Sequence, residues 1–458
     1  MVQSKIDGTR SPARKILLYL SSSTILLMLG ILIAVLPSNH PRGLAGHVVD
    51  FALNLGPQFK QLSRESYRAR ADSVVTPLTH LETQAQLWLE DGSSVNSWLL
   101  APEGTFNSDE YRNKPSFFVS ELTSDSILIA TGDGSFLSLK GIETSNYNFE
   151  SIPSNIGSLL PGEVKAPGLF SIKGLHVNES YVYVSFSYRH DLAYECWSTS
   201  LARASKRPTF LEFERFWTPP GCVAPHLAGE FQPLQAGGGI ASDQDLGLVF
   251  LGTGDYRSRN LAQSPHSTFG KVIEISESDA NDFRLVALGL RNPQSLEFDE
   301  GSLLVTEQGP MGGDEVNIIP GELLVSAASP VNFGWPIASY GDHYGFGLVE
   351  GSPLFKSHLE YGFVEPAIYW NPSIAVSSIQ KIHGNPGRYL VGSLGYDIDE
   401  GDLSIQVLDC SGLVTCQKGI RLQVNERVRD IELLGSGKLL ASLDSGELLL
   451  MEVLSLSE

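Results

Sequence analysis

The chain has 458 residues, 42% of them hydrophobic, with 45 Gly, 25 Pro and a formal net charge of -20. That hydrophobic content supports a large core and excludes wholesale disorder, while the Gly and Pro suit a fold with many tight turns. An acidic chain repels phosphate backbones, which excludes nucleic acid as a partner class; the charge identifies no substrate and is read most simply as solubility.

The first element in chain order is apolar. Residues 16–37 carry no charge and are long enough to cross a hydrocarbon core of about 30 Å. Lys5, Arg10, Arg14 and Lys15 precede the span against one acid, Asp7. The positive-inside rule therefore predicts a cytoplasmic tail over 1–15, a transmembrane anchor over 16–37 and an exported remainder, periplasmic or extracellular. A cleaved signal peptide is the alternative; the span lacks a small-x-small cleavage signal and is longer than the usual apolar region of such peptides. Residues 38–84 read as a juxtamembrane helix and linker, with Val48, Val49, Phe51, Ala52 and Leu55 able to share one helical face.

Over 85–458 the texture is short strands and turns. Ser126–Ala130 runs through Gly132-Asp133-Gly134 into Phe136–Leu139, a hairpin signal. Similar apolar runs recur at Tyr181–Phe186, Leu248–Leu251, Leu303–Thr306, Tyr389–Gly392 and Lys438–Ala441. Radial repetition of small antiparallel sheets is one way to protect edge strands, and the spacing fits a six-bladed all-β propeller. A pair of β-sandwiches is the competing architecture. The four cysteines lack CxxC spacing. Cys410 with Cys416 can staple a hairpin and Cys196 with Cys222 can close an insertion; an even count in an exported chain suggests such bridges without deciding that they form.

One segment carries most of the chemistry. Residues 288–319 read LGLRNPQSLEFDEGSLLVTEQGPMGGDEVNII and are followed by Asn332-Phe333-Gly334-Trp335-Pro336. With Gly168–Ile172, Gly252–Asp255, Phe269–Val272 and Arg427–Asp430 in order around it, this set resembles the glucose/sorbosone dehydrogenase family, the soluble sugar dehydrogenases that use pyrroloquinoline quinone (PQQ). The resemblance spans roughly residues 165–455. It implies a six-bladed propeller with PQQ over the central funnel, oxidation of a sugar or related alcohol by hydride transfer to the quinone, and calcium as a second cofactor. By the same resemblance Arg291, Asn292, Arg427 and Arg429 contact PQQ. The backbone carbonyls of Gly309 and Pro310 bind calcium, and Gln308, Asp314 and Glu315 lie in the calcium-binding segment.

The residue chemistry is compatible with those roles. A planar tricarboxylate needs guanidinium partners in bidentate geometry, and calcium takes hard oxygen donors. Arg427 and Arg429, two apart on an expected strand, would share a face; an interblade salt bridge is the plain alternative. For the acidic turn, the plain reading is geometry alone, with Gly312-Gly313 allowing the bend.

Two positions depart from the family pattern. The family's general-base histidine is Gln235 here, and an amide cannot accept a proton near neutral pH. His226 and His266 are close in sequence but outside the motif. Gly395 replaces a cofactor-binding lysine. These departures leave a second reading open, a propeller that binds cofactor or sugar without efficient turnover. A lactonase-like metal hydrolase is a third; it would need a central carboxylate/Asn cage, and the Arg-Asn-Pro-Gln and Gln-Gly-Pro segments favour the quinone. No Gly-x-Ser-x-Gly nucleophile motif occurs.

Overall fold

The computed structural model describes residues 77–452 except 79, 90–93, 103–116, 160–171, 192–195, 208, 226–230, 327–328, 343–355 and 396–402. The expected cytoplasmic tail, the apolar span 16–37, the helix around Val48–Leu55 and His226 all lie outside the described residues. Among those described, no helix is long and apolar enough to cross a membrane.

The described strands build six blades. Blade 1 is Phe117–Thr123, Ser126–Thr131, Phe136–Lys140 and Asn148–Ile152. Blade 2 is Ile172–Val177, Tyr181–Asp191, Cys196–Ser205 and Glu214–Trp217; blade 3 is Gly237–Asp243, Leu248–Thr253, Lys271–Ser276 and Phe283–Leu288. Blade 4 is Pro293–Asp299, Ser302–Glu307, Asp314–Ile319 and Ile368–Trp370; blade 5 is Val376–Lys381, Arg388–Ser393, Ser404–Ser411 and Thr415–Gln423. Blade 6 takes Val428–Leu433, Lys438–Leu443 and Leu448–Glu452 from the C-terminal end and Ser94–Pro102 from the N-terminal side. Strand His80–Leu89 then pairs with both Ser94–Pro102 and the end of blade 5. Strand pairing begins at Pro77–Leu78, so sheet structure starts several residues before the expected boundary at 85.

Closure explains why the strands read as continuous apolar runs rather than alternating ones. A blade is covered on both faces, so residues of either parity are buried. In Ser126–Thr131, Ile127 and Ile129 join the core shared with blade 6, while Leu128 and Ala130 join the core shared with blade 2. Leu303 and Val305 face blade 3 while Leu304 faces blade 5. The described residues show one apolar core between each adjacent pair of blades, including blades 6 and 1, and two stacked sandwiches would not give this ring.

Polar contacts lock neighbouring blades near the central channel. Ser185 donates to the Gly238 carbonyl at 2.6 Å, Thr306 to Ser377 at 3.0 Å, Ser377 to Val428 at 2.7 Å and Ser442 to Phe117 at 2.9 Å. Both disulfides are present, Cys196–Cys222 and Cys410–Cys416.

Candidate functional site

In an antiparallel blade the start of the innermost strand and the end of the second lie at the same end. In blade 4, Pro293 pairs with Glu307 and Glu307 with Glu315. Arg291, Asn292, Gln308, Gly309, Pro310, Asp314 and Glu315 therefore gather at one mouth of the channel. Gln235 immediately precedes blade 3 and Arg427 immediately precedes blade 6, which brings both to that same end.

The innermost strands share a feature there. Blades 2 to 6 each carry one extra residue just after the strand start, opposite the second strand. Such bulges re-aim side chains. The extra residue is Lys173 in blade 2, Gln294 in blade 4 and Arg429 in blade 6; in blades 3 and 5 it falls within Gly238-Gly239 and Ser377-Ser378.

Two groups of predicted residues come together. The first joins blades 3 and 4. The Gln235 amide nitrogen donates to Asp255 Oδ1 at 3.0 Å, and its oxygen accepts from Arg291 Nη2 at 2.6 Å and Arg257 Nε at 3.2 Å, with the amide oriented by these partners. Arg291 also donates to the carbonyls of Gln308 and Gly309, each at 2.7 Å, and lies over the Trp335 ring at 5.7 Å. Asn292 accepts from the Gly237 amide and donates to the Gln308 side chain, both at 3.0 Å. Asp255, fully buried, accepts from Trp335 Nε1 at 2.8 Å. Burial pushes its carboxyl up, and the Arg291 charge and the Trp335 hydrogen bond work against that rise.

The second group is in blade 6. Arg427 Nε donates to Asp444 Oδ2 at 2.8 Å, and Arg429 Nε and Nη2 donate to Oδ1 and Oδ2 at 3.1 and 3.0 Å. The two arginines converge through this shared acid. Arg427 precedes the strand and Arg429 occupies its bulge, so regular strand alternation does not bring them together as expected. Asp444 is 9% exposed, and the arginines hold its carboxyl below the ordinary value despite burial. Arg427 Nη1 also donates to the Gly395 carbonyl at 3.1 Å.

The expected calcium donors are largely engaged. Asp314 accepts the backbone amides of Gly309, Ile374 and Val376 at 3.0, 3.0 and 3.2 Å. Arg291 holds the Gly309 carbonyl. Glu315 accepts from Asn317 at 3.2 Å and lies 3.6 Å from His358 Nε2. Burial, and then Glu307 opposite it, drive the Glu315 carboxyl up. Among the described residues no group of three or more His, Cys, Asp or Glu is disposed to hold a metal ion. The expected side-chain donors are thus engaged within the protein, which leaves the Gly309 and Pro310 carbonyl positions to be tested with added calcium.

The mouth fits a multiply charged planar anion better. Arg427 and Arg429 share one carboxylate, Asp444, and the Arg429 charge also reaches Lys173. Sequence reasoning passed over Lys173, Asp255 and Asp444 as functional residues. The Gly168–Ile172 motif stops one residue short of Lys173, where a cation interrupts an apolar strand start before Gly174. Asp255 closes a motif that drew attention only as a match. Asp444 had no local signal, because its role comes from the return of a hairpin. His266 sits on an exposed turn and makes no contact with the Gln235 network.

These features define a six-bladed propeller with a cationic channel mouth. Residues 167–450 match the family model described as Glucose / Sorbosone dehydrogenase, and the chain belongs to that family. It is 28% identical over 226 residues to the aldose sugar dehydrogenase YliI of Escherichia coli (strain K12), covering 44% of this chain and 56% of that protein. The chain thus spans about half the length of that curated relative. It is 36% identical over 93 residues to quinoprotein glucose dehydrogenase B of Acinetobacter calcoaceticus, covering 18% of each. The crystal structure of the soluble aldose sugar dehydrogenase from Escherichia coli in the apo form shares the fold, with a TM-score of 0.59 and 19% identity over 81% of this chain and 99% of that one.

Proposed function

We propose that this protein oxidises a sugar or related alcohol with PQQ held at the channel mouth. The observation that carries this reading is the Arg427–Arg429 pair, anchored on Asp444 and aimed from blade 6 into the mouth. Two half-buried guanidiniums fixed by one acid form a preorganised receptor for carboxylates. The supplied chemistry would be acceptance of a hydride from a substrate carbon. Asn292 and Arg291 would line the other side of the cofactor position, with Gln235 next to the substrate hydroxyl and Asp255 orienting its amide from behind. Calcium is not used in this account, and its addition is one arm of the reconstitution below.

A second reading, binding without efficient turnover, draws on Gln235. Its amide can orient a hydroxyl but cannot hold the departing proton. Reconstitution of the purified full chain with PQQ, with and without added calcium, separates the two. Binding with turnover of aldoses supports the dehydrogenase, binding without turnover supports the second reading, and no binding removes both. We further propose that the apolar span 16–37 anchors the chain with its propeller exported, a reading that the two disulfides support. External protease should digest the propeller in spheroplasts; digestion only after permeabilisation would reverse the orientation.

A further inference from the structure

We propose that Lys173 is a cofactor-binding cation of the channel mouth, serving from blade 2 the role of the lysine that Gly395 replaces in blade 5. This rests on the quinone reading above and extends it to a residue outside the matched motifs.

Three independent observations converge on Lys173. First, it is the extra residue of the blade 2 bulge, the position Arg429 holds in blade 6. Of the bulges in blades 2 to 6, those in blades 3 and 5 carry Gly and Ser and that in blade 4 carries Gln294, so blades 2 and 6 alone aim a cation from this position. Although blade 1 stands between their blades, the Arg429 charge reaches Lys173, which places both around the channel.

Second, the neighbouring backbone makes room for this side chain. A Cβ on Gly238 would lie 2.5 Å from Lys173 Cβ and 2.6 Å from its carbonyl oxygen. A Cβ on Gly174 would lie 2.2 Å from the Gly238 carbonyl oxygen. Blades 2 and 3 can close around Lys173 only because both positions are glycine.

Third, blade 5 is not free to supply the cation. Gly395 has φ 63, a left-handed conformation that costs an L side chain, and its carbonyl is already held by Arg427. Burial, and then Arg429, lower the Lys173 ammonium to about 7, and a carboxylate beside it would favour the charged form again.

The test is PQQ affinity of the full-length protein, measured by equilibrium dialysis and by the absorbance shift of bound cofactor. Lys173→Met should weaken binding roughly ten- to a hundredfold, the loss of one charge-assisted hydrogen bond. Lys173→Arg should keep most of the affinity, and Lys140→Met, on the outside of blade 1, should leave it unchanged. The trimethyl ester of PQQ, lacking carboxylates, should bind wild type and Lys173→Met alike. Should the Met variant fail to fold, Lys173→Gln replaces it with the same expected loss. Wild-type binding with equal affinity in the neutral variants would overturn the role of Lys173 and leave the quinone reading standing. No wild-type binding would overturn that reading itself.

Discussion

Restoring a proton acceptor at position 235 is the sharpest perturbation of the proposed chemistry. In Gln235→His the imidazole would enter a site already furnished with an orienting acid. The Gln235 amide nitrogen lies 3.0 Å from Asp255 Oδ1, so an imidazole N–H can donate there. Asp255 is itself fixed by Trp335 Nε1 at 2.8 Å. This pairing of an imidazole with a buried, oriented carboxylate sets tautomer and ring plane. A positioned general base contributes about 10²–10⁴-fold in rate. The lower end is expected here, because Arg291 and Arg257 both face the oxygen end of residue 235 and would hold the imidazolium below its ordinary value of about 6.5. The assay is single-turnover reduction of bound PQQ by an aldose, followed by absorbance from about pH 5 to pH 9. We expect roughly a hundredfold gain, with the rate falling below a limb placed under about pH 6.5. Adding Asp255→Asn should remove most of that gain by releasing the ring. A variant that binds quinone normally yet shows no gain at any pH, or a gain indifferent to Asp255, would refute the assignment of position 235.

Three further outcomes follow from the fold. Asp444→Asn removes the acid shared by two arginines, both largely buried, and should cost about 3 kcal/mol, read as a drop of several degrees in Tm by calorimetry; an unchanged Tm would mean that Asp444 does not anchor the pair. Burial first raises Glu297 and Glu432 to about 8 and Asp430 to about 7, all above their unfolded values. Their stabilising contribution is therefore complete only below the unfolded values of about 4 and is lost progressively as pH climbs to about 7 to 8, so urea midpoints should fall between about pH 4 and pH 8 and level off above. Deleting residues up to 93 removes the His80–Leu89 link between blades 5 and 6 and should lower the unfolding midpoint of the whole propeller, as limited proteolysis and calorimetry would show.

The architecture was legible because each blade buries both faces, which writes unbroken apolar runs into the middle strands, as in Leu303–Thr306. What the sequence did not carry was the supply of strand Ser94–Pro102 to blade 6 from the other end of the chain. That pairing is long-range, and its partner strand Leu448–Glu452 gives no local sign of a missing neighbour. The matched arginines were recognised and reach the channel mouth, but the reason they meet was not. It lies in a bulge and a shared acid, neither of which has a two-residue period. Gln235 is expected at the family's base position from the resemblance alone, whereas its partner Asp255, 20 residues on, becomes adjacent only when blade 3 folds back across the Gly237–Thr253 pair.

The bulges and the acids together give the channel a polarity. Lys173 and Arg429 occupy the extra positions at the starts of their strands, with Arg427 one residue before. Farther along the same strands the charge reverses. The Glu297 charge of blade 4 contributes to raising Glu432 of blade 6, although blade 5 separates their blades. A multiply charged anion arriving at the mouth finds converging cations, and one moving deeper meets carboxylates that burial already pushes toward neutrality. Ionising those acids would raise both the cost of the fold and the repulsion of the anion. Under the proposed reading, the cations at the rim would attract a polycarboxylate and the acids deeper in the channel would offer it no counter-charge, so it would rest at the rim beside the Gln235–Asp255–Arg291 network.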